Sequence, residues 1–187
     1  MIERSTTMLP GERMLWSGEP GRGILFQAID VFLVPFSLLW CGFAVFWTFS
    51  ATSMGAPGFF DLWGLMFVAF GLYFVFGRFV VDMWVRQKIR YTLTNRRILI
   101  ERAGQFPRQT VINLEDLPPA SLQLRGSGRG TIRFGEAYNR WGRSGFGAWS
   151  PSLDPTPQFL HIENAQNVFD QVHRARDELQ RHAASGW

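Results

Sequence analysis

Charged residues are almost absent from two long apolar segments in the first half of the chain. The first, Val31–Phe49, carries no charge and would be about 28 Å long as a helix, close to the roughly 30 Å hydrocarbon core of a bilayer. The second, Leu62–Gly77, extends to Val85 if Arg78 and Asp82 lie near the lipid headgroups. This pattern predicts a hairpin of two transmembrane helices.

The hairpin divides the chain into three parts. We predict an N-terminal segment over residues 1–27, a transmembrane hairpin over residues 28–85 with helices near 29–50 and 60–85, and one compact polar domain over residues 86–187. A pair of buried helices in a soluble protein is the competing interpretation. The charge-free length of the first segment and the aromatic residues at the helix ends argue against it.

Basic residues flank the hairpin on both sides but are absent from its connecting loop, Ser50–Asp61. Those before the first helix are Arg4, Arg13 and Arg22, and those after the second are Arg86, Lys88, Arg90, Arg96 and Arg97. Short flanks that are rich in Lys and Arg stay on the cytoplasmic side. We therefore predict a multi-pass membrane protein with both termini in the cytoplasm.

After Arg86 the apolar period changes from helical to alternating, which predicts strands. The predicted strands are Ile89–Thr94, Arg97–Glu101, Gln109–Leu114, Ser121–Leu124, Thr131–Phe134 and Phe159–Ile162, with one more near Phe146–Trp149 in the long loop Gly135–Gln158. Apolar residues then recur at spacings of three and four, which predicts a terminal helix over residues 164–183 with Asn164 as its N-cap. The predicted fold class is α+β, a helical hairpin followed by a bent antiparallel sheet that one helix covers.

The segment before the hairpin contains a short apolar cluster, Met14–Trp16. Pro and Gly residues between Pro10 and Gly23 exclude a long helix there. Two placements stay open for the cluster. It inserts at the level of the lipid headgroups, or it pairs with the C-terminal domain.

Several motifs resemble the bacterial pleckstrin-homology-like (PH-like) domain. They are YTLTNRRILIERAG (Tyr91–Gly104), the following Val-Ile-Asn-Leu strand, GRGTIRFG (Gly128–Gly135) and the terminal HIENAQNVFDQV helix. The apolar hairpin is similar to that of small membrane-anchored proteins with such a domain after two transmembrane helices. The resemblance implies a seven-stranded, strongly bent sheet or barrel capped by one helix, in the bacterial inner membrane. It implies little about activity, because a fold does not settle function without a site.

Three charged residues lie near the cytoplasmic ends of the predicted helices. Arg78 and Asp82 are one helical turn apart and can pair, and Asp30 lies at the same level across the hairpin. Charged groups at membrane depth are functional candidates. A small membrane enzyme or transporter subunit that uses these three residues is therefore the alternative function. We favour a structural clasp, meaning that the three residues hold the helices together. All three lie near a helix end, where a charged side chain reaches the lipid headgroups at little cost in free energy.

The C-terminal domain is basic, with fifteen Lys and Arg against nine Asp and Glu from Arg86 onward. Such a domain beside a membrane is attracted to anionic lipid. The candidate lipid or partner contacts are Arg96, Arg97, Arg125, Arg129, Arg140, Trp141 and Arg143. The loop Gly126–Thr131 either cradles a phosphate or forms a tight hairpin, and the hairpin is the simpler explanation. Trp and Arg in the long loop favour a headgroup zone over nucleic acid.

We find no catalytic motif with convincing spacing. Cys41 is the sole cysteine, so a disulfide within the chain is excluded, and the histidines do not have metal-ligand spacing. We predict a protein that is not an enzyme and has no metal or cofactor. The expected function is a binding module: a PH-like domain at the cytoplasmic face that binds a protein partner or a second copy of itself, and contacts membrane lipids.

Overall fold

Two long helices stand beside a domain of two sheets in the computed structural model, which describes residues 8–26, 30–104, 107–135 and 151–185. Helix α1 spans Asp30–Ser53. The second helix is continuous and consists of α2 (Gly58–Leu72), a π-helical segment (Tyr73–Gly77) and α3 (Arg78–Arg86). The two predicted helices are therefore confirmed, and the turn between them is shorter than the charge pattern indicated. The π-helical segment was not predicted.

Small residues let the two helices pack closely. A Cβ atom added to Gly64 would lie 2.3 Å from Thr48 Oγ1, and one added to Gly71 would lie 2.9 Å from Cys41 Cβ. Gly77 instead faces the ring of Tyr73 one turn earlier in its own helix. Gly64 and Gly71 therefore lie at the helix–helix contact, and Gly77 does not.

Large apolar side chains point outward from this helical pair. Of the 18 most apolar consecutive residues of α1, only 11% are buried. For the corresponding stretch of the second helix the share is 22%. Both helices are long and apolar enough to cross a membrane. The core helix of a soluble protein passes the same test of length and composition, but its apolar residues are mostly buried. These helices expose theirs.

Seven antiparallel strands in the described residues form two sheets. The first has the order β1-β2-β3-β4, with β1 (Met14–Gly18), β2 (Ile89–Thr94), β3 (Arg97–Arg102) and β4 (Arg108–Asn113). The second has the order β5-β6-β7, with β5 (Ala120–Leu124), β6 (Gly130–Phe134) and β7 (Gln158–Ile162). The six strands predicted after the hairpin are confirmed to within one residue at each end.

The arrangement of the strands corrects two expectations. The strands lie in two sheets rather than one, and the described residues form no closed barrel. The remaining strand is β1, from the segment before the hairpin, where Trp16 pairs with Leu93 and its ring lies 5.4 Å from that of Phe159. The Met14–Trp16 cluster therefore pairs with the C-terminal domain. The strand predicted near Phe146–Trp149 lies outside the described residues.

A single apolar core joins both sheets and the terminal helix α4 (Ala165–Ser185). Val168 and Val172 of α4 are buried in it, as the apolar spacing predicted. Tyr91 connects the two sheets, because the Leu160 N–H of β7 donates a hydrogen bond to its hydroxyl at 3.0 Å. Asn164 immediately precedes α4, but its φ of 50° is left-handed and differs from the extended backbone of an ordinary N-cap.

Candidate functional site

The polar centre of the molecule lies where the second long helix ends. Arg86 is 3% exposed, and its Nε lies 2.7 Å from Asp82 Oδ2. Its Nη1 and Nη2 donate to the carbonyl oxygens of Gly21 and Gly23. One buried guanidinium therefore binds the helix to the segment that leads into α1.

Asp82 extends this contact to the sheets. Its Oδ1 accepts a hydrogen bond of 3.1 Å from the Ser152 N–H, in the short turn Pro151–Leu153. The Ser152 carbonyl in turn accepts one of 3.0 Å from Arg102 Nη1 on β3. We call Asp82, Arg86 and Ser152 the junction cluster. It connects the helical pair, the N-terminal segment and the sheet domain through buried polar groups.

In the sequence Arg86 belongs only to the basic flank, and its role in the junction cluster was not predicted. Arg86 follows Asp82 by one helical turn, just as Arg78 precedes it, so the spacing signal was present. The deciding partners, Gly21 and Gly23, are more than sixty residues away in sequence. No local pattern identifies carbonyl groups as the partners of a buried arginine.

The contact expected between Asp30 and Arg78 across the hairpin is present. Arg78 Nη1 lies 2.7 Å from Asp30 Oδ1, and both side chains are almost fully buried. The Arg78 guanidinium also lies 4.4 Å from the centre of the Phe79 ring. Its Nε and Nη2 have no hydrogen-bond partner among the described residues. This pair holds the start of α1 against the second helix.

A second buried ion pair fixes the N-terminal segment to the β2–β3 turn. Arg97 Nε and Nη2 lie 2.8 and 3.0 Å from the two carboxylate oxygens of Glu12, whose side chain is fully buried. Burial alone would raise the pKa of Glu12, but hydrogen bonds from Arg97, the Leu9 N–H and Thr94 outweigh it and lower this pKa to about 2. Arg97 is therefore engaged inside the protein, whereas Arg96 beside it is exposed.

The structure places a different set of basic residues near the helix end. Strand β2 starts just after α3 and runs about 20 Å to the turn with Arg96. In the strand register, Arg102 pairs with Ile89 at the opposite end of β2, and Arg108 pairs with Arg102. Lys88 is adjacent, with its Nζ 4.2 Å from the centre of the Trp84 ring. This group was not predicted from the sequence, because only strand pairing brings its members together.

Arg125 and Arg129 flank the β5–β6 turn, close to the start of the hairpin. The Arg125 N–H donates to the Arg129 carbonyl at 2.8 Å, and Gly128 has a φ of 73°, so the glycines serve a tight turn. Arg125 Nη2 donates to the Phe26 carbonyl at 2.6 Å. Arg129 forms an exposed ion pair of 2.7 Å with Glu163. The candidates Arg140, Trp141 and Arg143 lie outside the described residues.

A polar cavity of about 390 Å³ opens beside the junction cluster, lined by residues 19–23 and by Met83, Arg86 and Gln87. Its basic wall residues are Arg22, which is exposed, and Arg86, which is already bonded at all three nitrogen atoms. No group of three His, Cys, Asp or Glu side chains suited to a metal ion occurs in the described part of the chain. The junction cluster thus connects the helical pair to the rest of the molecule, and Arg86 and Arg22 bring positive charge to the cavity beside it.

Comparison with protein-family models, with curated proteins and with solved structures finds no match to this chain. The likeness to the PH-like domain therefore depends on the sequence motifs alone. Function has to be argued from the geometry of the helices, the junction cluster and the basic surface.

Proposed function

We propose that the chain is a membrane-anchored binding module without catalytic activity. In this proposal the helical pair spans the bacterial inner membrane with both termini in the cytoplasm. The PH-like sheet domain lies at the cytoplasmic membrane surface, where it contacts anionic lipids and binds a protein partner or a second copy of the chain. The junction cluster is the observation that carries the proposal, because it bonds the helix end directly to both the N-terminal segment and the sheet domain.

The outer surface of the helices supports the membrane location. Phe32, Leu39 and Phe49 of α1 are each at least 70% exposed, together with many other large apolar side chains of both helices. Soluble monomers rarely expose so extensive an apolar surface. At 1.5 Å per residue, the 24 residues of α1 extend about 36 Å, enough to cross the hydrocarbon core with some tilt. The buried charges Asp30, Arg78 and Arg86 all lie at one end of the pair, where a headgroup zone tolerates them.

The junction cluster supports a fixed position for the sheet domain. A domain on a flexible linker samples many orientations. Here Asp82 accepts a hydrogen bond from the Ser152 N–H of the sheet domain, and Arg86 donates to the Gly21 and Gly23 carbonyls of the N-terminal segment. Trp84 and Lys88 follow on the same helix end, and such residues favour the membrane interface. The basic group near Lys88, Arg102 and Arg108 is then held toward anionic headgroups.

An open sheet edge supports association with a protein. Within the described residues β4 pairs with β3 on one side only, and it is largely exposed, with Val111 46% exposed. Such an edge can pair with a strand of another chain.

The alternative, an enzyme or transporter site at Asp30, Arg78 and Asp82, is tested by Arg78→Leu. A clasp predicts a less stable protein, whereas an active site predicts a stable protein without its activity.

The proposal is tested on the full chain extracted in a mild detergent from bilayers that contain a known fraction of phosphatidylglycerol. Light scattering gives the assembly state, and mass spectrometry gives the retained lipids and any co-purifying protein. We expect more than one copy or a stoichiometric partner, together with anionic lipid above its bilayer fraction. A strict monomer without partner or lipid enrichment contradicts the proposal.

A matched pair of charge-reversal variants tests the lipid contact. Lys88→Glu with Arg108→Glu changes two exposed residues at the helix end, and Arg174→Glu with Arg181→Glu makes the same charge change on the exposed side of α4. The first variant is expected to lose the lipid enrichment, because its charges lie near the membrane. The second variant should keep it. Equal loss in both variants would show that net charge alone attracts the lipid.

A further inference from the structure

Strand β7 contains an irregularity at a half-buried histidine on the outer face of the second sheet. Gly130 pairs with Ile162 and Ile132 pairs with Phe159, so two residues of β7, Leu160 and His161, face one residue of β6. His161 has a left-handed φ of 49°, unusual for a residue other than glycine. Bulges and strained residues of this kind redirect side chains and are frequent at functional sites.

The redirected histidine lines a small basic cavity. The cavity measures about 60 Å³ and lies between the outer face of β5–β7, the segment Leu25–Phe26 and the chain after Pro151. Its polar lining residues include Gln123, Arg125, Thr131, Arg133, Asp154 and His161. On this measure a single water molecule needs about 10–15 Å³, so the cavity has room for one small tetrahedral group.

Donor groups in this cavity remain available within the described part of the chain. Arg125 uses one N–H for the Phe26 carbonyl, and a guanidinium carries five. Thr131 Oγ1 accepts a hydrogen bond of 3.2 Å from the His161 N–H and keeps its own hydroxyl hydrogen as a donor. A guanidinium, a hydroxyl and an imidazole together form a set that binds anionic oxygen atoms.

Positive charge surrounds the histidine from three elements. Burial lowers the pKa of His161, and the nearby Arg125, Arg129 and Arg86 lower it further. The other charged residues of the cavity are Arg133 on β6 and Asp154 after the turn, and Arg133 Nε donates to Gln158 Oε1 at 3.1 Å. An anion in this cavity would favour protonation of His161.

The cavity lies at the cytoplasmic end of the helical pair. Phe26, which forms part of its wall, has its ring 5.6 Å from that of Phe79 on α3 and is 56% exposed. Gly21 packs against His161, since a Cβ atom there would lie 2.4 Å from the His161 carbonyl oxygen, and the Gly21 carbonyl accepts from Arg86. The cavity is therefore joined to the junction cluster, at the depth of lipid headgroups if the helices span the membrane.

We propose that this cavity binds a phosphoryl group, held by the Arg125 guanidinium, the Thr131 hydroxyl and the His161 imidazole. An anionic lipid headgroup and free inorganic phosphate both offer this chemistry. The assignment of the phosphoryl group to a lipid rests on the proposed function, because only a membrane-inserted hairpin brings headgroups to Phe26. Binding at this cavity would also connect lipid occupancy to the junction cluster through Gly21.

The test follows His161 by NMR in the full chain, labelled with ¹⁵N-histidine and assembled in nanodiscs. Three samples are compared: phosphatidylcholine alone, phosphatidylcholine with phosphatidylglycerol, and phosphatidylcholine with inorganic phosphate at constant ionic strength. The phosphoryl group of phosphatidylcholine is neutralised by its own choline, so this lipid is the reference without net negative charge. His161→Asn assigns the signal, because asparagine tolerates a left-handed φ. We expect a phosphoryl group to raise the pKa of His161 by about one pH unit. His173 and His182 on α4 report the general effect of surface charge.

Arg125→Gln tests the donor set, and Arg174→Gln, which removes an exposed charge from α4, is its control. The increase in the pKa of His161 should shrink with Arg125→Gln and persist with Arg174→Gln. An increase with phosphatidylglycerol assigns the site to a lipid headgroup, and one with inorganic phosphate alone assigns it to the free anion. The proposal is overturned if neither raises the pKa of His161 beyond the change in His173 and His182, or if Arg125→Gln keeps the full increase. Failure to enter nanodiscs would contradict the proposed function instead.

Discussion

The helical pair and the sheet domain distribute apolar residues in opposite ways. The sheet domain buries its large side chains, including Tyr91, Phe134 and Phe159, and exposes charge. The helical pair buries small or polar residues such as Ser37 and Gly71 at its contact, and exposes its aromatic and aliphatic side chains. The helical pair thus has the distribution that suits lipid and the sheet domain the one that suits water. Among the described residues, the buried charged groups other than Glu12 lie where the two parts meet.

Burial of an apolar side chain contributes differently to stability in the two parts. In the sheet domain, an apolar side chain gains about 25 cal/mol for each Å² removed from water. Between helices in lipid this gain is absent, and close packing of small residues replaces it. The same substitution should therefore have different effects in the two parts, which the following experiments test in order of expected size.

The largest difference is expected for phenylalanine. Phe159→Ala removes a fully buried ring and should lower the free energy of unfolding by about 3–5 kcal/mol. Phe49→Ala removes a ring that is 75% exposed on α1, and we expect a change of less than about 1 kcal/mol. Denaturant unfolding in micelles measures both. Equal losses would mean that the outer face of α1 is packed against protein.

The junction cluster comes next. Arg86→Gln leaves the Asp82 carboxylate buried without its cation and should cost about 3 kcal/mol. The matched variant Arg90→Gln breaks an exposed pair with Glu19 at 3.9 Å, where about 0.5 kcal/mol or less is expected. The same unfolding measurement compares them. A small loss for Arg86→Gln would show that the two parts are not joined through this residue.

Acid should weaken the attachment of the N-terminal segment. The pKa of Glu12 is about 2 in the folded protein against an ordinary value of 4.5, so the native state binds fewer protons than the unfolded state. The contribution of Glu12 to the free energy of unfolding is fully present above about pH 4.5 and is lost as the pH falls toward 2. Glu12→Gln should cost about 2 kcal/mol at neutral pH and remove this part of the pH profile. The exposed Glu115→Gln is the control, and a loss that persists unchanged at pH 2 would contradict the assignment.

The smallest effect concerns helix packing. Gly71→Ala places a methyl group 2.9 Å from Cys41 Cβ and 3.0 Å from its backbone, and should cost about 1–2 kcal/mol by separating the helices. Gly42→Ala, on α1, meets nothing within 4 Å and should be neutral or stabilise by about 0.5–1 kcal/mol. Thermal unfolding in micelles distinguishes them. A larger loss of stability for Gly42→Ala than for Gly71→Ala would mean that the helices contact each other through other residues.

The sequence predicted local features well, because their signals are local. The period of two in Ile89–Thr94 and the spacing from Ala165 to Leu179 each define an element by its own residues. β1 was missed as a strand because only Trp16 of its apolar cluster enters the core, and pairing with β2 crosses the whole hairpin.

Much of the candidate site could not be predicted for the same reason. Each of Arg86, Glu12 and His161 has a deciding partner far away in sequence: the Gly21 carbonyl is 65 residues from Arg86, Arg97 is 85 from Glu12, and Thr131 is 30 from His161. Arg96 and Arg97 were chosen because they are adjacent and basic. In the strand register both residues lie at the end of β2 that is far from the helix, and Arg97 forms an ion pair with Glu12.

Membrane topology tests the central claim most directly. Cysteines are introduced singly at Met54, in the turn between the helices, and at Ser185, at the end of α4, in a Cys41→Ala background. A thiol reagent that cannot cross membranes is then applied to intact cells and to inverted vesicles. We predict labelling of Met54→Cys in intact cells and of Ser185→Cys only in inverted vesicles. Labelling of Ser185→Cys in intact cells, or recovery of the chain without detergent in the soluble fraction, would contradict the account.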